Sequence, residues 1–422
     1  QGFWVQRFPE SVTFQEGAYS DHRGYPHSIA IYESRLCFGG TDTNPNTIWL
    51  SRTNDLDNFQ TGVNANDSMR LTINSNTIDE IRWLCPSNSL IIGTSANEWA
   101  LGSGSDQLAV TPTQLNIKRQ SNYGSSKIQG ELVNASILFF MRQKTKLREW
   151  IQQNTANVFL AADLAAFADQ ATEGGILQMA VQTQPETIIW MVRNDGQLIG
   201  LTYEKETKTF GWHRHTFKNA SGVLEKAESV SVLPTATGED CVYVILKKAD
   251  DERCYVKMDS RNWGTTYTTD YNGLDNYVTY TNFTGSTLGS HTISSAISNA
   301  SNFVTLVFSQ PHNLSVGDSV TLASLGSSNT DPNGTHQVSE VLDATSIKFD
   351  LTVGTGETYT HGSATCFDDR LQYLANDTVT FKIDGATVST AQVNNTNYSL
   401  PVGSQTNANL VVGLPYTSTI AP

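Results

Sequence analysis

The chain has 422 residues, more than one ordinary hydrophobic core supports, so two or three domains are expected. Its 27 Lys and Arg stand against 41 Asp and Glu, a formal net charge of −14, and no basic cluster longer than a few residues interrupts the acidity. This excludes a tight sequence-specific nucleic-acid binder, which needs a basic face, and no apolar run reaches the roughly eighteen residues of a helical membrane span.

Residues 1–24 are polar with isolated aromatics (Phe3, Trp4, Phe8, Phe14) and read as an extended leading segment. The chain opens at Gln1 without Met or a signal-like stretch and stops just after a strand-like run, so a fragment of a longer product is expected. Thr, Ser, Asn and Gly abound while long Ala/Leu/Glu/Lys runs are scarce, which favours strands over helices.

From residue 25 to 260 one theme repeats. Residues 28–32 and 35–38 are short apolar strands across a polar turn, 47–51 is a third strand carrying Trp49, and 53–58 is an Asn/Asp turn. Such a meander cannot bury both of its faces alone and must stack on copies of itself. The copies are 81–84 with 89–93 and 98–101, then 136–141 with 147–151, then four strands over 177–215, then 229–233 with 241–247 and 254–258. Centres recur at roughly fifty residues, the spacing of four-stranded propeller blades. A stack of ordinary β-sandwiches is the competing architecture. The aromatics Trp49, Trp99, Trp190 and Trp212 fall at repeated strand positions and are expected to pack within or between blades. Residues 115–126 read as a loop carrying the clearest cationic pair, Lys118 and Arg119, a candidate subunit or partner contact. Residues 158–171 (VFLAADLAAFADQA) have helical propensity and are expected to form one short helix.

After residue 258 the texture changes. Residues 284–366 are low in charge but alternate apolar positions (VTLVF, SVGDSVTL, SIKFDLTV), as a small inserted β-barrel or sandwich does. Residues 262–283 and 367–422 flank it as one discontinuous β platform. The expected fold class is therefore all-β: a propeller of antiparallel blades followed by a discontinuous β-domain carrying a small barrel.

Candidate chemistry is sparse. Residues 51–59 loosely resemble the Asp-box turn of sialidase propellers, but that motif is structural, and a sialidase would also need an arginine triad and a Tyr/Glu nucleophile pair, whereas the arginines here are sparse and do not recur at equivalent blade positions. His213 and His215 share one strand face and could begin a metal site, without a third ligand nearby. Asp270, Asn272 and Asp275 have a suggestive spacing for Ca²⁺ but lack the closing Glu of an EF-hand. The N-x-S/T triplets at Asn66, Asn134 and Asn313 follow from composition. Five scattered cysteines (Cys37, Cys85, Cys241, Cys254, Cys366) show no CxxC and read as buried thiols of a protein folded in a reducing cytoplasm. No P-loop, G-x-G-x-x-G, G-x-S-x-G or H-E-x-x-H occurs, so no catalytic residue, cofactor or metal is assigned.

The phrases RGYPHSIAIYESRLCFGGT, NTIWLSRTNDLDNF, IRWLCPSNSLIIGTSANEWAL, TPTQLNIKRQSNYGSS and IIWMVRNDGQLIGLTYEKETKTFGWHRHTF stand in order across residues 24–260. In order and spacing this stretch resembles the tail nozzle proteins of short-tailed phages, also called tail tubular protein B, with a weaker echo over 378–420. The resemblance implies a non-enzymatic virion protein, a six-fold homo-oligomeric ring below the head–tail adaptor that anchors tail fibres or tailspikes. Genome DNA would pass through its lumen without specific binding, and an acidic wall is expected there because each phosphate neutralised by Lys or Arg strengthens binding. The insertion, with PHNLSVGDSVTL, resembles the small β-barrels named after the first catalytic-cysteine half-domain of ubiquitin-activating enzymes; Cys366 does not make it catalytic. The alternatives are a carbohydrate- or receptor-binding β protein of the virion and, further off, a propeller glycan hydrolase.

Overall fold

The computed structural model describes residues 19–415 apart from 78, 104–108, 154–157, 167, 208, 219–222, 236–237, 249–250, 252, 259–273, 300–301, 329, 353–358 and 361–363. The chain divides into two compact units, residues 1–215 with 226–245, and residues 216–225 with 246–422. Apart from one 3₁₀ turn at Gln372–Leu374, every regular element among the described residues is a strand.

Four consecutive four-stranded antiparallel sheets account for most of the first unit. Sheet one is β1 (Ser28–Tyr32), β2 (Arg35–Gly39), β3 (Thr47–Leu50) and β4 (Met69–Thr72). Sheet two is β5 (Ile81–Pro86), β6 (Leu90–Thr94), β7 (Glu98–Gly102) and β8 (Asn116–Ser121). Sheet three is β9 (Glu131–Val133), β10 (Ser136–Phe140), β11 (Leu147–Gln153) and β12 (Val158–Asp163). Sheet four is β13 (Ile176–Gln182), β14 (Ile188–Arg193), β15 (Leu198–Glu204) and β16 (Thr209–His215). A fifth sheet has the order β17 (Phe217–Lys218), β18 (Leu224–Pro234), β19 (Asp240–Lys247) and β20 (Arg253–Lys257).

Side-chain alternation explains how these sheets hold together. In β10 (SILFF), Ile137 and Phe139 join Trp83, Cys85 and Ile91 of sheet two, while Leu138 and Phe140 join Met179, Ile189 and Met191 of sheet four. Leu84, Ile92 and Leu101, on the other face of sheet two, pack with Ile48 and Leu50 of sheet one. A strand buried on both faces must be apolar almost throughout, and β6, β10 and β14 are, apart from one terminal polar residue each: Thr94, Ser136 and Arg193. The first strand of each sheet also approaches the first strand of the next: β1 to β5, β5 to β9, β9 to β13. Trp49, Trp99 and Trp190 are buried in this arrangement, and Trp212 is half-buried, its Nε1 donating to the Leu164 carbonyl at 3.1 Å.

Two expectations from sequence are corrected. Residues 158–171 do not form a helix: Val158–Asp163 is β12, the fourth strand of sheet three, with Ala161 paired to Trp150 and buried beside it. Alanine's helix propensity is worth a fraction of a kcal/mol per residue, less than the pairing and burial that oppose it. The chain then turns through two i→i+3 bonds, Ala168 to Ala165 and Ala171 to Ala168. Lys118 and Arg119 likewise lie on a strand, β8, and not in a loop.

In the second unit, six strands close into a barrel of order β22 (Ser290–Asn299), β23 (Phe303–Phe308), β27 (Ser346–Asp350), β26 (Gly334–Asp343), β24 (Ser319–Ala323) and β29 (Thr365–Asp368). A two-stranded ribbon of β25 (Gly326–Ser327) and β28 (Tyr359–Thr360) accompanies it. Val304, Leu306, Val320, Val338, Ile347 and Phe349 fill its core. The chain on either side of the barrel meets in one further sheet, β21 (Leu274–Leu288), β32 (Leu400–Pro415), β30 (Thr378–Ile383) and β31 (Ala386–Gln392), with its own core around Tyr280, Phe381 and Leu410.

Candidate functional site

The polar residues singled out from sequence do not converge on one centre. Lys118 and Arg119 are exposed on β8, an outer strand of sheet two, and face Ala100 and Trp99 in register, with a bulge at Gln120. Neighbouring strand residues point to opposite faces, so the two cations do not form one patch. Charged side chains on an edge strand also discourage unwanted strand addition.

Residues 51–59 form the first part of the connection from β3 to β4, where Asp55 bridges back to Arg52 and accepts from Asn58 Nδ2 at 3.1 Å. The same excursion is pinned from below by a group that sequence reasoning missed. Arg35 is 2% exposed on β2 and donates to the carbonyls of Ser51 (2.7 Å), Asp67 (2.7 Å) and Ala65 (2.8 Å). Burial lowers its pKa, and the three carbonyl dipoles take the place of a carboxylate partner.

His213 and His215 share a face of β16, as their spacing requires, and His213 Nδ1 lies 2.7 Å from His215 Nε2. The His213 ring lies over Gly200, where a Cβ would stand 2.0 Å from its Cε1, and both rings touch Trp190. Among the described residues no group of three or more His, Cys, Asp or Glu is placed to hold a metal ion. Asp270 and Asn272 lie outside the described residues, as does the side chain of Asp275. Asn134 and Asn313 occupy left-handed turn positions, φ 55° in each, a backbone role that asparagine fills readily. Cys37, Cys85 and Cys366 are buried thiols, and burial pushes Cys37 and Cys85 up to about 12; Cys241 and Cys254 are half-buried.

Buried carboxylates form a second group that the sequence did not disclose. Asp79 accepts from Asn97 Nδ2 at 2.7 Å, Trp99 Nε1 at 3.2 Å and Thr77 Oγ1 at 3.1 Å. Glu98 accepts from the Ser121 and Ser125 hydroxyls, and burial still raises its pKa. Glu149 ties sheet three to sheet four through the Tyr203 hydroxyl at 2.7 Å and Lys205 Nζ at 3.1 Å. Burial opposes its charge, but the bonds from Tyr203, Lys205 and Ser136 outweigh burial and lower its pKa. Each carboxylate accepts from donors that fix strand ends and turns.

The densest polar node lies in the second unit. Asp368 is fully buried at the end of β29 and accepts from His291 Nε2 at 2.8 Å and from Arg370 Nη2 at 2.8 Å. Burial alone would raise its carboxyl, yet the His291 bond and the Arg370 charge hold it well below the usual carboxylate range. Arg370 also donates to the carbonyls of Asn313 (2.7 Å) and His312 (3.3 Å), and its guanidinium stands 4.4 Å from the centre of the Tyr280 ring on β21. His312 receives the Leu314 N–H on Nδ1 (2.9 Å) and gives its Nε2–H to the Asp343 carbonyl (3.0 Å). Ser315 N–H donates to Asp318 at 2.8 Å. The segment PHNLSVGD is thus a latch that joins the barrel, through Arg370, to the sheet holding Tyr280.

Beside this node is a cavity of about 210 Å³, between β21, the start of β22 and the end of β23. No helix among the described residues is long and apolar enough to cross a membrane. No family model and no curated protein matches the chain. Among solved structures it resembles a structural-genomics target from Lactobacillus plantarum, at 8% identity over 79% of this chain and 88% of that one, with a TM-score of 0.34. A likeness that distant carries no argument about fold or function.

Proposed function

We propose that the chain is a non-enzymatic structural subunit of a phage tail nozzle, a ring that extends the DNA-ejection conduit below the head–tail adaptor and anchors fibres or tailspikes. One observation carries the reading beyond the sequence resemblance. Four-stranded sheets follow one another along the chain, each packs on the next, and their first strands adjoin, as blades of a propeller do about an axis. The charge of −14 per subunit, multiplied around a ring, makes an acidic bore that a duplex slides past. The outward-facing Ile29 and Ile31 of β1, about 60% exposed, are side chains of the kind subunit contacts cover.

The deciding experiment is negative-stain imaging of the purified full chain, alone and mixed with the adaptor of the same virion, beside mass spectrometry of purified particles. Six-fold rings and presence in the particle are expected. A monomer under both conditions, in a protein missing from the particle, overturns the proposal.

A further inference from the structure

The cavity beside Asp368 belongs to none of the assembly roles above. Its wall is built from an irregular stretch of β21: the pairing with β32 slips between Phe283 and Gly285 and again between Gly285 and Thr287. Bulges of this kind re-aim side chains and gather at binding sites. Gly285 sits at φ +146°, and a Cβ there would stand 3.1 Å from the Phe283 ring, so only glycine leaves that ring in place.

The lining is chemically specific. Phe283 and Phe308 contribute two rings, and Thr287, Ser290 and Gln310 contribute side chains with no hydrogen-bond partner among the described residues. His291 is oriented by its Nε2–H bond to Asp368, which leaves Nδ1 as the ring's second polar atom. No Lys, Arg, Asp or Glu lines the cavity. An amino acid or a phosphorylated ligand would bring charge that nothing here neutralises. A sugar ring carries hydroxyls around its edge and apolar C–H groups on its faces, and it matches uncommitted hydroxyls and an amide set against phenyl groups. The volume of about 210 Å³ is below the roughly 300 Å³ at which drug-sized sites begin, so one ring fits and a buried oligosaccharide does not.

We infer that this cavity is a binding site for a single neutral sugar residue, free or at the end of a glycan. It lies wholly within the second unit and does not depend on ring assembly, so its test and the test of the nozzle reading fail separately.

The experiment is saturation-transfer NMR on the full chain with methyl glycosides of glucose, galactose and N-acetylglucosamine, with N-acetylneuraminic acid and glucose 6-phosphate as charged controls. Saturation of ring protons of at least one neutral glycoside, and of neither control, is expected. Thr287→Val keeps the side-chain shape and Gln310→Ala removes an exposed amide, so neither disturbs the fold; each should weaken binding about three- to tenfold, the worth of one hydrogen bond. Ser290→Leu fills the cavity and should abolish the signal while the thermal unfolding midpoint stays near wild type. Silence from all neutral glycosides at millimolar concentration, equal saturation of the charged controls, or wild-type binding by all three variants would each overturn the assignment.

Discussion

Acidification should loosen the barrel through one imidazole. His312 is 2% exposed, accepts the Leu314 N–H on Nδ1 and donates Nε2–H to Asp343, so the folded state holds one neutral tautomer. A second proton would have to enter at Nδ1, against the Leu314 N–H. Burial lowers the pKa most, the nearby His291 and Arg370 lower it further, and Asp343 opposes them without prevailing. Because the folded pKa lies below the ordinary value near 6.5, the unfolded chain binds the proton more readily. The stabilisation is therefore complete above about pH 6.5 and is lost as pH falls through the folded pKa, by at most about 1.4 kcal/mol per pH unit for one proton. Between pH 6.5 and 5.5 the barrel should lose up to that amount. Amide hydrogen exchange of the β23 and β27 peptides in the full chain, expressed as protection factors, reads it directly. His312→Asn should lower protection at neutral pH by about 2–5 kcal/mol, since an N–H and a carbonyl lose their partners, and should remove the extra loss on acidification. His291 and His336 remain in both proteins, so the difference isolates His312. An acid-induced loss of equal size in wild type and variant would refute the reasoning.

Four other outcomes are expected. Gly93→Ala places a Cβ 2.1 Å from the buried Trp83 ring, and urea denaturation should show a loss of about 1–3 kcal/mol from overpacking; an unchanged midpoint contradicts the packing described. Tyr203→Phe removes the hydroxyl bond to Glu149 and should cost about 1.5–3 kcal/mol in the same assay, with Glu149→Gln removing most of the difference between Tyr and Phe. Arg35→Met unpins three carbonyls of the segment between β3 and β4, so trypsin should cut faster at Arg52; an equal cleavage rate counts against the role given to Arg35. Charge reversal at Lys118 and Arg119 should weaken assembly in sedimentation without changing the melting temperature, and unaltered assembly reduces the pair to guards of an edge strand.

The legible part of this chain was the part written in apolar periodicity. SILFF, IIWMVR and LIIGT are strands buried on both faces, and their hydrophobicity announces them. β8 escaped because NIKRQS is half-exposed on an edge and carries no buried stripe. β12 escaped because an alanine-rich stretch prefers a helix in isolation, and only the partner strand β11 overrides that preference. The polar anchors were illegible for a different reason. Arg35 binds carbonyls up to 32 residues away, and Arg370 meets Asn313 across 57. Backbone acceptors leave no mark in sequence. His213 and His215, being two residues apart, could be placed together from spacing alone.

The two units pose different problems to a chain emerging from a ribosome. Every sheet of the first unit is built from contiguous sequence, so each can form soon after its last strand appears and then settle on its predecessor. β21 has no such option: its register runs from Leu274 paired with Pro415 to Leu288 paired with Leu400. Its partner is synthesised on the order of 100 residues later, after the whole barrel, and the loop between them must close at an entropic cost that local hairpins avoid. Folding of the barrel in the interval shortens that loop to a compact bead with its ends close together. Because β22 pairs with β29, the closed barrel holds residues 290 and 367 side by side, and Arg370 just beyond β29 stands against Tyr280, so a folded barrel delivers the late strands beside β21.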